Sequence, residues 1–264
     1  MRVVSGAERR GLAVEPIRIR QFPLFCLNVV YVPYLLIVAL SFGLFASMPA
    51  LAWNWARGGR LGDTMRLNNQ RFGAFILRMS GGLLRIRRRG LENMRGPGPC
   101  VIVVNHRSFA DIFFCGLIPK SQIVVFVRSW PFRLWPLGWF MRAAEYVDLE
   151  REPLERWLER RGRELCARGV SFLFFPEGHR SRDGRLQRFR AGAFIVADAL
   201  NLPLAPVCLS GTEAITRGGG LIHPARITLE VLPAVQPDTL PAEGRALALR
   251  KEVERIYREY YHED

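Results

Sequence analysis

Five short runs of apolar, mostly β-branched residues mark the second part of the chain, at 100–104 (CVIVV), 123–127 (IVVFV), 170–175 (VSFLFF), 204–209 (LAPVCL) and 227–232 (ITLEVL). The first four lack a polar alternation, the pattern of strands covered on both faces. Between the second and third, residues 152–168 place Leu154, Trp157, Leu158 and Leu165 on one helical stripe and charges on the other. Residues 242–261 read as a charged amphipathic helix, and no internal repeat or low-complexity linker interrupts the series. Strands alternating with helices predict an α/β fold, a layered mixed sheet flanked by helices.

The pattern at the N-terminal end is different. Residues 21–56 contain no Asp, Glu, Lys, Arg or His, and no other ionisable side chain except Cys26, Tyr31 and Tyr34. A helix needs about 20 apolar residues to cross a bilayer core, so the run exceeds one perpendicular span and falls short of two. It is also longer than the roughly 7–15-residue core of a signal peptide and no clean cleavage site follows, so it is expected to be retained. Pro33 and Pro49 predict a kinked span or a hairpin dipping into one leaflet. Arginines flank both sides: Arg2, Arg9, Arg10, Arg18 and Arg20 before it, Arg57, Arg60, Arg66 and Arg71 after it. Basic flanks favour the cytoplasmic side, so both ends are expected there and a re-entrant or hairpin anchor follows. The expected division is a membrane-embedded helical segment over 1–65 and a second domain over 66–264. Residues 83–95 (LLRIRRRGLENMR) carry five arginines. They suit a solvated strand edge, or a surface facing anionic head groups at about 1 kcal/mol per basic residue.

Charge widens the question before chemistry narrows it. The 264 residues hold 38 basic and 24 acidic side chains, a net +14, and only Lys120 and Lys251 are lysines. Such a field attracts phosphate on nucleic acid or on anionic membrane lipids without choosing between them. The chain carries no recognisable nucleic-acid-binding motif, and the uncharged run is out of place in a soluble binder, so no nucleic-acid partner is expected and a non-enzymatic binder ranks low. The five cysteines stand singly among apolar neighbours, which suggests neither a zinc site nor a disulfide framework and fits a reducing compartment.

Two polar motifs follow directly on apolar strands, where open α/β sheets gather functional residues. The first is Asn105-His106-Arg107-Ser108-Phe109-Ala110-Asp111. Five positions on an ideal helix turn the side chain by roughly 140°, so His106 and Asp111 meet only if the histidine lies on the loop and the aspartate in the first helical turn. A second reading needs no chemistry: Ser108-x-x-Asp111 has the form of a capping box. The other motif is Phe175-Pro176-Glu177-Gly178-His179-Arg180-Ser181, with further arginines at 182, 185, 188 and 190. Pro-Glu-Gly is turn chemistry, while a glycine beside an arginine lets backbone amide and guanidinium converge on a phosphate.

Together and in this order the two motifs resemble those of the lysophosphatidate acyltransferase family, the glycerolipid acyltransferases. Asn105, His106 and Asp111 match its N-H-x-x-x-x-D block. Residues 175–181 match F-P-E-G-T-R-S except that His179 stands in the threonine position. A block of the form K-x-x-L…P…G…I-D-R is similar to Arg128…Pro136…Gly138…Leu149-Glu150-Arg151, with Arg128 in the lysine position. A Pro-Val pair followed by Gly-Thr is matched by Pro206, Val207, Gly211 and Thr212. The resemblance spans about residues 100–215. It implies transfer of a fatty acyl chain from a thioester, on coenzyme A or acyl carrier protein, to the free hydroxyl of 1-acyl-sn-glycerol-3-phosphate, or of another lysolipid such as a lyso-ornithine lipid, a second lysophospholipid or a glycolipid. His106 is then the general base and Asp111 its orienting partner. Asn105, Arg128, Glu177, Gly178, Arg180, Ser181 and Pro206 are the expected substrate-binding residues, and amides near Gly178 or a Pro206-Val207 turn the expected oxyanion donors. No metal or other cofactor is called for beyond the acyl thioester. The expected location is the inner membrane with the catalytic domain facing the cytoplasm.

Overall fold

A computed structural model of the chain describes residues 21–94, 96, 98–180, 186–216 and 221–261. The arginines expected before the apolar run, Arg95 of the basic segment, and Ser181, Arg182 and Arg185 of the second motif lie outside them.

The apolar run is one helical rod. Helix α1 (Gln21–Phe42) passes Pro33 without ending, continues through a π turn (Gly43–Ser47) and runs on as α2 (Met48–Ala56). Residues Leu24–Ala56 are long and apolar enough to cross a membrane, reaching about 50 Å at the rise of an α-helix. Most of that surface is uncovered, with Val30, Leu36, Leu40, Phe45 and Trp55 all exposed. The expected reversal therefore does not occur within the run. The chain turns only after Ala56, where Gly58 adopts a positive φ and the Gly59 N–H caps back onto Asn54. Helix α3 (Leu61–Met79) then returns alongside the rod. Tyr31 and Tyr34 donate to the carbonyls of Ser80 and Met79 (3.2 and 3.0 Å), Phe42 packs on Phe72 and Phe75, and Asn68 donates to Ser47 Oγ (2.8 Å). The hairpin is thus made by an apolar arm and an amphipathic one, and the expected boundary at 65/66 falls inside α3. Its sequence, LGDTMRLNNQRFGAFILRM, hides this because one face meets the rod while another meets the sheet domain.

Arg66 anchors that second contact. Its side chain is fully buried and its guanidinium reaches Asp63, Glu145, the Ala144 carbonyl and Gln122 Oε1 (2.8 Å). Asp63 is shared with Arg168, and Glu145 with Arg161. Burial opposes ionisation of Glu145, but the two guanidinium groups outweigh it and hold its carboxyl below its ordinary value. Glu145 occupies the left-handed region, φ 61°, uncommon for a non-glycine residue.

The remaining chain builds one seven-stranded sheet in the order β1-β7-β6-β2-β5-β3-β4. The strands are β1 (Leu84–Arg89), β2 (Val101–Val104), β3 (Ile123–Val127), β4 (Val147–Asp148), β5 (Ser171–Phe174), β6 (Leu204–Ser210) and β7 (Ala225–Val231). Every pairing is parallel except β6 with β7. The four doubly apolar runs become four of the five inner strands, β2, β3, β5 and β6, almost wholly buried. β7 alternates buried and half-exposed positions, and β1 is an edge whose arginines 85, 87, 88 and 89 are exposed. Charged edges of this kind resist pairing with a second sheet.

Period-two alternation distributes the core over both faces of the sheet. Val101 and Val103 point into a layer with Trp157, Leu165, Phe194 and Val253, and Ile102 and Val104 into one with Leu77, Phe114 and Ile227. The helices over these faces are α4 (Asp111–Phe114), α5 (Leu137–Ala143), α6 (Leu154–Trp157) running through a π turn into α7 (Arg163–Ala167), α8 (Gly192–Ala199) and α9 (Arg245–Tyr261). Helix α9 buries Leu249, Val253 and Tyr257 on one stripe.

Candidate active site

The parallel strands β2 and β5 are neighbours in register, so the loops leaving their C-terminal ends emerge side by side. One carries the first polar motif and the other the second. His106 lies on the first loop and Asp111 opens α4, the arrangement under which the two can meet. They do: His106 Nδ1 lies 2.9 Å from Asp111 Oδ2. The imidazole packs on Phe175 at 4.5 Å between ring centres and keeps 24% of its side chain exposed, while Asp111 is fully buried. With Nδ1 engaged, Nε2 is left to face outward, and it has no protein partner among the described residues.

The same carboxylate oxygen also accepts the main-chain N–H groups of Arg107 (2.7 Å) and Ser108 (2.8 Å), and Ser108 Oγ accepts from Ala110 N–H (3.2 Å). Asp111 thus orients the histidine and also gathers the amides of the loop that precedes α4, whose own N-cap, Ala110, has no side-chain cap. Those loop amides fix where the carboxylate sits, and that position fixes the imidazole.

Three further clamps hold this loop. Asn105 is buried and brackets Leu209 on β6, donating to its carbonyl (2.9 Å) and accepting from its N–H (2.7 Å). Glu177, only 3% exposed, accepts the N–H of His106 on Oε1 (2.8 Å) and that of Gln187 on Oε2 (3.2 Å). Burial pushes the Glu177 carboxyl up from its ordinary value, partly offset by those two donors and by the charges of His106 and Arg107. The third clamp comes from α9. Tyr257 donates to the carbonyls of Val103 (2.8 Å) and Val207 (2.7 Å), and Arg107 lies over the Tyr261 ring at 4.7 Å. Sequence reasoning missed the α9 residues; the only signal for them was aromatic spacing on an otherwise ordinary amphipathic helix.

The other expected site residues divide. Asn105 and Glu177 have both ends of their polar groups occupied by the protein, so the geometry makes them supports of the histidine loop. Gly178 has φ 74°, and a side chain there would strike the Arg190 guanidinium. Its own N–H is spent on the Phe175 carbonyl (3.1 Å). Arg180, on the same loop, is exposed and makes no ion pair among the described residues. Arg128, beyond β3, is exposed and pairs with Glu150 (2.7 Å). Pro206 corrects the expectation of a turn: it lies within β6 opposite Val103, and its carbonyl accepts from Leu232. A proline supplies no N–H, and Val207 is in the β-ladder, so this pair offers no turn amides to an oxyanion. The turn of that motif comes later, at Gly211, whose φ of 86° and contact with the Arg226 carbonyl exclude any side chain.

Comparison with known proteins supports this picture. Residues 85–210 match the family described as Acyltransferase. The chain is 38% identical over 135 residues to the chloroplastic 1-acyl-sn-glycerol-3-phosphate acyltransferase BAT2 of Brassica napus, covering 50% of this chain and 39% of that protein. It is 29% identical over 185 residues to the 1-acyl-sn-glycerol-3-phosphate acyltransferase of Pseudomonas aeruginosa, covering 67% and 68%. The chain spans less than half the length of the plant proteins it matches at highest identity. Among solved structures, the 1-acyl-sn-glycerophosphate acyltransferase PlsC of Thermotoga maritima shares the fold at a TM-score of 0.69 and 22% identity, covering 93% of this chain and 98% of that one.

Proposed function

We propose, since residues 85–210 match the family described as Acyltransferase, that the chain is a membrane-anchored O-acyltransferase that moves a fatty acyl group from an acyl thioester to the free hydroxyl of 1-acyl-sn-glycerol-3-phosphate, giving phosphatidic acid. The observation that carries this reading is the His106–Asp111 pair, a half-exposed imidazole whose inner nitrogen is held by a buried carboxylate. The names of the relatives point to the acceptor.

The chemistry follows from the geometry. Nε2 of His106 takes the acceptor's hydroxyl proton as the oxygen attacks the thioester carbon, and Asp111 holds the tautomer and stabilises the imidazolium. The tetrahedral intermediate then collapses, the C–S bond breaks, and the imidazolium returns its proton to the departing thiolate. No enzyme nucleophile is needed. Since Gly178 spends its N–H internally, we assign the oxyanion to the amides of His179 and Arg180, which have no partner among the described residues. The Arg180 guanidinium is the natural grip for the acceptor's phosphate, with Arg128 a second cation once released from Glu150. Coenzyme A and acyl carrier protein are both chemically suitable donors, since the thioester carbon is the same in each.

The rod of residues Leu24–Ala56, long and apolar enough to cross a membrane, supports attachment to a membrane; on this reading the membrane is the inner one and the catalytic domain faces the cytoplasm. Purified protein assayed against a panel of lysolipids, with acyl-coenzyme A and acyl carrier protein as donors, tests the assignment. Fastest turnover is expected with lysophosphatidate, and turnover confined to an acceptor without a phosphate monoester overturns that part of the reading.

A further inference from the structure

A second apolar surface lies far from the N-terminal rod in sequence. From the turn after β3 into the first turn of α5 the chain exposes residues 133–137 in succession, and Trp130, Leu134, Trp135, Leu137 and Trp139 all present large apolar area to solvent, Trp135 at 90%. Exposed tryptophans at this density are unusual on a surface that meets only water. The loop itself is well braced: Phe132 is buried beneath it, Arg142 donates to the Phe132 carbonyl (2.7 Å), and Gly138 packs so closely on Phe132 that no side chain fits there. The aromatic rings are thus held outward by a rigid base.

The surface is continuous with the candidate active site. The Phe109 ring, itself 49% exposed and on the His106 loop, lies 6.4 Å from that of Trp130. Charge indicates what covers it. From Arg128 to Ala144 the sequence has three arginines and no acidic residue, and Arg133, in the middle of the exposed run, makes no ion pair among the described residues. A two-fold contact with a second copy would bring Arg133 toward its own counterpart with no acid supplied by the loop. Tryptophan with arginine, by contrast, is the composition of a membrane–water interface, where rings sit at head-group level and guanidinium meets phosphate.

We propose that the loop of residues 129–139 is a second membrane contact, which lays Trp130, Leu134, Trp135 and Trp139 into an anionic phospholipid surface and so sets the mouth of the His106 site against the bilayer holding its acceptor. The rod tethers the chain; this loop orients it. The proposal rests on the lipid-acceptor reading above, because a site that takes a bilayer-resident acceptor gains from facing the bilayer.

The test uses the full chain in vesicles of phosphatidylglycerol and phosphatidylethanolamine. With the exposed Cys26 changed to Ser, Trp135→Cys carries an environment-sensitive fluorophore, and Leu247→Cys on the exposed face of α9 carries the same label as a control. The label at 135 is expected to shift to the blue and to be quenched by nitroxide-bearing lipid, while that at 247 stays water-like. A water-like signal at 135 overturns the proposal. So does a blue shift that appears in detergent without lipid and grows with protein concentration, which marks a second copy as the occupant. In parallel, Leu134→Ser/Trp135→Ser is expected to lower turnover of vesicle-embedded long-chain lysophosphatidate about tenfold or more, the scale of withdrawing two large apolar groups from the interface. Turnover of a water-soluble short-chain lysophosphatidate is expected to stay at the wild-type rate. An equal loss on both acceptors overturns the orienting role, whereas failure of the wild type on either acceptor speaks against the acyltransferase reading instead.

Discussion

A single carboxylate oxygen, Asp111 Oδ2, receives three donors, and that concentration of duty separates the consequences of changing the two members of the pair. His106→Ala removes a partly exposed ring that packs on Phe175 and pairs with Asp111, so it should lower turnover by at least about a hundredfold while costing little thermal stability. Steady-state kinetics beside a melting curve checks both halves, and near-normal activity in the folded variant would remove the base from the mechanism. Asp111→Asn should cost activity and stability together, because two main-chain donors lose a charged acceptor, a loss of about 1–3 kcal/mol. Arg180 poses a different question, since it makes no ion pair among the described residues. Arg180→Lys keeps the charge and loses the two-pronged fork, so the apparent Michaelis constant for lysophosphatidate should rise several-fold with little change in kcat, and Arg180→Ala should be worse. If both variants bind lysophosphatidate as wild type does, the phosphate is held elsewhere and Arg128 becomes the place to look.

Among the elements, α3 carries the connection that decides how the membrane rod and the sheet domain sit together. Its buried Arg66 network depends on ionised Glu145, whose folded pKa lies below its ordinary value of 4.5. A depressed carboxylate value contributes stability that is complete above the unfolded pKa and is lost as pH falls through the folded one. Melting temperature should therefore hold between neutrality and about pH 5.5 and fall below about pH 4.5. Glu145→Gln should cost about 1–3 kcal/mol at pH 7 and flatten that acid decline; matching pH profiles for the two proteins would show that the network is not the cause. This helix also marks where sequence reading stops. The inner strands were legible because burial on both faces leaves an unbroken apolar run, and β7 because alternation marks a half-covered strand. The His106–Asp111 pair was legible because a loop-then-helix arrangement can be checked against helical geometry. Helix α3 was not, since its two contact faces leave no single stripe. The two-residue β4 is too short to carry a pattern, and the engagement of Asn105 and Glu177 with distant main-chain groups has no local trace. Pro206 misled for a related reason: proline signals a turn, but here it sits in an inner strand at a position where its carbonyl alone is used.

For the whole molecule, the proposed reading gives the basic side chains, the apolar rod and the tryptophan-rich loop one common partner, a lipid surface. The full chain should sediment with the inner membrane, and a cysteine engineered on the exposed face of α9 should react with a membrane-impermeant reagent only after the cytoplasmic side is opened. Labelling from the periplasm would invert the proposed topology. The hold that α9 has on the His106 loop, through Tyr257 and Tyr261, bears as well on events during synthesis. At about 5–20 residues per second, the roughly 200 residues between Ala56 and Tyr257 take on the order of 10–40 s to translate. For most of that interval the apolar rod is free of the ribosome and able to partition into lipid, while the His106 loop still lacks its brace. On the proposed reading, arrival at the membrane thus precedes competence, and a nascent chain reaches its substrate's compartment before it can act on anything there.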